Sequence, residues 1–213
     1  MKVAVLGGTG SFGRALAARL ATVGVDDVVI GSRDAARARE TAEELGGGVT
    51  GGTNEDAVGG ADLVVLAVKA DAALETVRAV AAALGETPLL SVATAIEFRK
   101  GVGAFPDPDP RSLAERIQDE VAGPVVAGLH SIAAANLEEE APDEDALLCG
   151  DDPDAKALAL ELAARIVAGS ALDAGPLASA RALEGLTAVI VNLNRRYKAH
   201  AGVRITGVTT NAK

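Results

Sequence analysis

The sequence predicts an α/β fold, a doubly wound parallel sheet with a small, mainly helical C-terminal part. Three observations predict it. Apolar runs of strand length alternate with alanine-rich helical patterns through the first half of the chain. A glycine turn follows the first run at once and opens a helix. Aromatics make up only 2% of the residues, which leaves the core to Ala, Val, Leu and Ile, the residues of strands covered on both faces.

The elements follow in order. Val3 to Leu6, Asp27 to Ile30, Leu63 to Val68 and Leu89 to Val92 read as strands, and Phe12 to Val23, Ala35 to Leu45 and Ala72 to Leu84 as the helices between them. Repeated βα units of this kind imply right-handed crossovers. After Thr94 the pattern changes, and Phe105-Pro106-Asp107-Pro108-Asp109-Pro110 reads as a stiff spacer before a helix starting near Arg111. Pro124 to Leu129 resumes the sheet, and Ala146 to Cys149 adds a strand beyond the acidic Glu138-Glu139-Glu140 loop. Asp152-Pro153 caps and starts a helix to about Val167, a last helix runs from about Leu177 to Lys198, and Thr209 to Lys213 read as frayed. This divides the chain into a dinucleotide-binding domain, residues 1–150, and a smaller C-terminal part, 151–213, packed against it.

Composition narrows the function. At 213 residues and 49% hydrophobic the chain can bury one substantial core. The formal charge of −10, with 20 Lys and Arg against 30 Asp and Glu, leaves no basic stripe for a polyanion, and few rings are present to stack bases, so nucleic acid is not an expected partner. The lysine-poor acidic balance fits a high-salt cytoplasm and a GC-rich genome equally. The single cysteine, Cys149, excludes an intramolecular disulfide framework, and no Cys/His cluster has metal-ligand spacing, so no metal is expected. No apolar run reaches the ~18 residues of a membrane span, and Met1 to Leu6 turns into glycine too soon for a signal segment. A soluble cytoplasmic protein acting on small molecules is the expectation.

The turn Gly8-Thr9-Gly10-Ser11-Phe12-Gly13 carries the first functional reading. Glycines spaced this way let a strand turn sharply, let backbone approach a pyrophosphate and let the helix pack on its strand. The free N–H groups of the helix start then face the anion, with Thr9 or Ser11 adding a hydroxyl. The second strand selects the dinucleotide. An NAD site usually ends that strand in Asp or Glu, which accepts from the ribose 2′-hydroxyl. Here it ends Ile30-Gly31-Ser32-Arg33, and Ser32 can donate to a 2′-phosphate while Arg33 grips it with a planar fork. Arg37 lies one helical turn further along the same face, and Asp34 reads as the cap of the next helix. NADP(H) is the predicted cofactor.

With these residues in hand, the chain resembles the NADPH:coenzyme F420 oxidoreductases, a family of deazaflavin-dependent NADP reductases with a Rossmann-type fold. Leu6-Gly7-Gly8-Thr9-Gly10 with Gly13, and Gly31-Ser32-Arg33, look like that family's NADP site. Leu129-His130-Ser131-Ile132, Cys149-Gly150-Asp151-Asp152 and Leu172-Asp173-Ala174-Gly175-Pro176-Leu177 match its characteristic blocks in order, and Arg181 and Glu184 continue the last. The chain departs from the pattern at Ala133, where the family commonly has proline, and at Lys69, where an uncharged residue is expected.

The resemblance implies reversible hydride transfer between NADP(H) and coenzyme F420 as co-substrate, and a homodimer. The cofactors carry such a reaction, and no acid, base or nucleophile is assigned. Ligands of open α/β sheets sit at the carboxyl ends of the strands, so Val68, Lys69, Ala93 with Thr94, and Ala134 are expected at the nicotinamide, with His130, Ser131 and Ile132 on the deazaflavin. Two other readings stay open: an NADP(H)-binding sensor without activity, and an NADPH reductase with a flavin or other acceptor. His130 reads equally as a donor to the deazaflavin or as a buried histidine satisfied by backbone. Cys149 reads as packing, since no neighbouring cation in the sequence would lower its pKa. Asp151 and Asp152 read as helix caps. The cluster Arg195-Arg196-Tyr197-Lys198 suits a helix C-terminus, with an anionic coenzyme tail as the second reading. The apolar last helix, Leu183-x-x-Leu186-x-x-Val189-Ile190, offers a face to the core or to a second copy.

Overall fold

A computed structural model describes residues 1–138 and 140–208, so the predicted fraying of Thr209 to Lys213 lies outside the described residues. The first strand, β1 (Lys2–Leu6), is apolar on both faces and almost wholly buried, as a central parallel strand must be. It feeds α1 (Ser11–Thr22), and the pattern repeats through β2 (Asp27–Ser32), α2 (Ala35–Leu45), β3 (Thr50–Thr53), α3 (Asn54–Val58), β4 (Leu63–Leu66), α4 (Ala70–Leu84) and β5 (Leu89–Ser91). The chain continues through a hairpin, β6 (Ile96–Arg99) and β7 (Gly103–Pro106), then α5 (Leu113–Gln118), β8 (Val125–Gly128), α6 (Ala134–Leu137) and β9 (Ala146–Gly150). It closes with α7 (Pro153–Ile166), β10 (Ala171–Asp173), a short 3-10 turn over Leu177–Ser179 and α8 (Ala180–Tyr197).

The main sheet has the order β10-β9-β8-β5-β4-β1-β2-β3. Strand order reverses at β1, which lies between β2 and β4, and a ligand crevice is expected there. The predicted doubly wound sheet is therefore present, with one correction to its directions. Pairing between β8 and β9 is antiparallel, and β10 is parallel to β9, so the last two strands run against the rest. As a result the start of β9 and the end of β8 share one sheet edge, the edge where β1 and β4 also end.

Two apolar layers cover the sheet. One packs α1 and α7 on one face through residues such as Leu16, Leu20, Leu162 and Ile166. The other packs α4, α5 and α8 on the opposite face through Val77, Val80, Ile117 and Leu183. Four helices begin on side-chain caps: Asp34 for α2, Thr53 for α3, Ser112 for α5 and Asp152 for α7.

The segment read as a stiff spacer is corrected at its start. Phe105 and Pro106 belong to β7, paired antiparallel with β6, and only the residues after them form the connection. Asn192 of α8 pins this hairpin, accepting from Ala104 N–H at 2.8 Å and donating to its carbonyl at 2.8 Å. The last helix is split between its two predicted tasks: Leu183 and Ile190 are buried, whereas Val189 is 54% exposed.

Candidate functional site

At the carboxyl edge of β1 the chain meets Gly7, which takes the left-handed region at φ +80°. A Cβ there would stand 2.8 Å from the Ala67 carbonyl oxygen, so this residue, rather than Gly8, makes the sharp turn. Gly13 in the first turn of α1 sits against that bend: a Cβ would come within 2.4 Å of the Gly7 carbonyl. Gly10 is the N-cap of α1 and supplies no side-chain cap, so the first N–H groups of the helix are left for an outside acceptor.

That helix start opens onto a cleft of about 860 Å³. The glycine turn contributes Gly7, Thr9 and Gly10, and the β2–α2 junction contributes Ser32, Arg33, Asp34 and Arg37. The end of β4 and α4 contribute Ala67, Val68, Lys69, Asp71, Ala72, Glu75 and Thr76, and Asn54 comes from the start of α3, directly after β3. Seven residues singled out in the sequence for the dinucleotide, Thr9, Gly10, Ser32, Arg33, Arg37, Val68 and Lys69, are thus brought onto one surface. Asp34 caps α2 by accepting from Ala36 and Arg37 N–H at 3.0 and 3.2 Å, which ties up its carboxylate at the helix start. Ser32 accepts from Asp34 N–H at 3.2 Å, leaving its own hydroxyl proton available. Among the described residues Arg33, Arg37 and Lys69 take part in no ion pair. They are the cleft's free positive charge on a strongly acidic protein, partly balanced by Asp71 and Glu75 on the facing helix.

The remaining residues of the turn do not line the cleft. Gly8 and Gly13 are buried beneath it, Ser11 is exposed beside it, and Phe12 packs half-buried on the core. Their contribution is to the shape of the turn and to the helix N–H groups.

A second group gathers where β8 ends. Leu129 is held at φ +62°, an uncommon conformation for a branched side chain, and it turns His130 inward. Thr187 of α8 donates to the His130 carbonyl at 3.0 Å. His130 and Ser131 face a small gap shared with Leu147, Leu183 and Leu186. His130 is 9% exposed, both ring nitrogens are buried, and neither finds a partner among the described residues. Burial pulls its pKa down to about 4, opposed by the Ala93 backbone, which lies near the ring without completing a hydrogen bond to it. The ring is therefore neutral at pH 7, with an unfilled donor and an unfilled acceptor. Ile132 and Ala93 are buried at the same sheet edge, and Ala134 opens α6, whose N-cap Ala133 supplies no side-chain cap.

Neighbouring groups are structural. Burial pushes the Cys149 thiol up to about 12 with Glu184 adding to it, and Lys156, a cation absent from the sequence neighbourhood, does not offset them. Glu184 accepts from Leu113 and Ala114 N–H at 3.0 and 3.1 Å, tying α8 to the start of α5. Asp152 caps α7, whereas Asp151 accepts from Leu177 N–H at 2.9 Å and fixes the 3-10 turn. Among the described residues no helix is long and apolar enough to cross a membrane.

Asn54 was not foreseen in the sequence. It follows β3, whose Thr-Gly-Gly-Thr composition carries no apolar signal, and only the Thr53-x-x-Asp56 capping box marks the place.

Comparisons with known proteins show the family and the fold. Residues 2–95 match the family model described as "NADP oxidoreductase coenzyme F420-dependent". The chain is 37% identical to the F420-dependent NADP reductase of Methanothermobacter thermautotrophicus, over 98% of this chain and 96% of that one. It is 33% identical to the reductase of the same name from Methanocaldococcus jannaschii, over 98% and 99%. A crystal structure from Arthrobacter sp. FB24, carrying a provisional name of the same kind, superposes with a TM-score of 0.82 at 29% identity, covering 97% of this chain and 99% of that one.

Proposed function

The chain belongs to the family of coenzyme F420-dependent NADP oxidoreductases, and from that premise we propose how its residues divide the work of hydride transfer between NADP(H) and the deazaflavin. It is an NADP-dependent oxidoreductase, with NADP(H) and coenzyme F420 as its two substrates. One observation carries the assignment of residues: an uncapped helix start, Ser32, Arg33, Arg37 and Lys69 converge on a single cleft at the point where strand order reverses.

In this reading the N–H groups at the start of α1 receive the pyrophosphate, with Thr9 beside them. Ser32, Arg33 and Arg37 bind the 2′-phosphate, where an acid would repel it. Val68 and Lys69 lead the nicotinamide half toward Ala93 and Ala134, and His130, Ser131 and Ile132 receive the deazaflavin. When bound, the nicotinamide and the deazaflavin supply the hydride chemistry themselves. The protein holds the rings face to face, excludes water and presents a neutral His130 whose N–H can donate to a ring oxygen. No side chain needs to act as acid, base or nucleophile.

Residues 1–150 form the dinucleotide-binding unit, with 151–213 completing the acceptor side through α8. A cytoplasmic protein fits the chemistry of these two soluble cofactors. A homodimer is supported by the exposed apolar residues Phe98 and Val102 on the hairpin and Val189, Leu193 and Tyr197 on α8.

The test mixes purified protein with NADPH and coenzyme F420 and follows the deazaflavin absorbance. Bleaching coupled to NADPH consumption is expected; tight NADPH binding without turnover would sink the enzymatic reading, and faster turnover with FMN would move the acceptor to flavins.

A further inference from the structure

We infer that Asn54 is a specificity-determining residue of the cleft, its carboxamide reading the ribose that carries the 2′-phosphate. The inference rests on the assignment of the cleft to NADP(H).

The fold brings Asn54 to this place by backbone alone. In the β2–β3 pairing Ser32 stands opposite Thr53, so the next residue on each strand, Arg33 and Asn54, leaves the sheet on the same edge. Gly31 makes room for the approach. A Cβ on Gly31 would lie 2.8 Å from Asn54 Oδ1 and 3.1 Å from its Cα. Asn54, Ser32 and Arg33 all line the same cleft.

What the side chain does for the protein itself is little. Its Oδ1 is buried and has no hydrogen-bond partner among the described residues, an arrangement that folded proteins rarely tolerate without reason. Nor is it needed as a cap, because Thr53 and Asp56 already close the capping box of α3. A carboxamide offers one acceptor and two donors in a plane. Turned toward the cleft beside a phosphorylated ribose, where its oxygen gains the partner it lacks, it can accept from the free 3′-hydroxyl and donate to the 2′-phosphate. A carboxylate in the same place can only accept, and it repels the phosphate.

The test uses the full chain carrying Asn54→Ala or Asn54→Asp, with dissociation constants for NADPH, NADH, 2′,5′-ADP and 5′-ADP, and Tm measured alongside. Asn54→Ala is expected to weaken NADPH and 2′,5′-ADP roughly tenfold, with NADH and 5′-ADP changed less. Asn54→Asp is expected to weaken the phosphorylated ligands further, because it can no longer donate and it repels the phosphate. The Tm of Asn54→Ala is expected to hold, since the carboxamide oxygen makes no hydrogen bond within the described residues. A structural role predicts the reverse, a fall in Tm with equal losses for all four ligands, and that result overturns the inference. So does a wild-type preference for NADPH that survives both substitutions. A wild-type chain with no preference for NADPH overturns the NADP(H) assignment itself.

Discussion

Thr187 donates its hydroxyl proton to the carbonyl of His130 at 3.0 Å, across 57 residues of sequence. The bond falls one residue after Leu129, whose φ of +62° costs a branched side chain on the order of 1–3 kcal/mol. Thr187 thus helps to hold a strained turn that aims the His130 block. Thr187→Val keeps the shape and removes the donor. It is expected to cost about 1 kcal/mol, a fall in Tm of roughly 2–4 °C for a chain of this size, and to raise KM for the acceptor more than for NADPH. Thermal unfolding and steady-state kinetics check it; equal KM values for wild type and variant would detach Thr187 from the acceptor side.

Arg33→Ala is expected to separate the two dinucleotides. Arg33 is exposed on the cleft and makes no ion pair among the described residues, so its removal disturbs little besides a bound anion. If it grips the 2′-phosphate, NADP(H) binding weakens about 10- to 100-fold while NAD(H) binding barely moves. Equal losses would show that Arg33 does not read the phosphate.

The sequence and the structure agree most where periodicity was strong and least where elements are short. The five helices of eleven or more residues, α1, α2, α4, α7 and α8, were legible to within a few residues, because each buries residues at helical spacing along one face. β3 was not, because Thr50-Gly51-Gly52-Thr53 presents no apolar residue; glycine is there so that α2 can pass close, a Cβ on Gly51 standing 2.3 Å from the Ala38 carbonyl. β10 has three residues on an edge, too few for a period to register. The β6–β7 hairpin was hidden by a proline at its end, which an edge strand accepts. Of the residues that line the cleft, Ser32, Arg33, Arg37 and Lys69 were legible in the sequence because charge and strand ends are written in one segment each. Asn54 and Thr187 were not, since what places them is strand register and helix packing.

His130 predicts a pH dependence of stability with a definite sign. Its folded pKa, about 4, lies below the ordinary 6.5, so the unfolded chain binds the extra proton first as pH falls. Stability is then lost between about pH 6.5 and pH 4 and is unaffected by this group above that window. Urea unfolding from pH 7 to pH 4.5 should show a shallower decline in His130→Gln than in the wild type. Identical slopes would mean that the imidazole is not buried as described.

Cys149 should be silent toward thiol reagents. It is fully buried on β9, and burial, followed by the Glu184 charge, holds its thiol near 12. Native protein at pH 8 is expected to leave an aromatic disulfide reagent unreacted, with one thiol released on adding denaturant. Rapid labelling of the native chain would show that β9 opens readily.

Gly13→Ala tests the turn itself. The added Cβ would meet the Gly7 carbonyl oxygen at 2.4 Å and Gly8 Cα at 2.9 Å, and both are backbone, so no side chain can swing aside. Either the turn or α1 must move. α1 buries Ala15, Leu16, Ala17 and Leu20 on the sheet, so displacing it disturbs the core as well as the helix start. A cost of roughly 1–3 kcal/mol is expected, with NADPH binding reduced well beyond what that loss of stability explains at temperatures where the variant is still folded. Ser11→Ala, one turn edge away and exposed, is the control: Tm should hold, and any loss of NADPH affinity there reports only the hydroxyl. Wild-type NADPH affinity in Gly13→Ala would remove the glycine turn from the binding site.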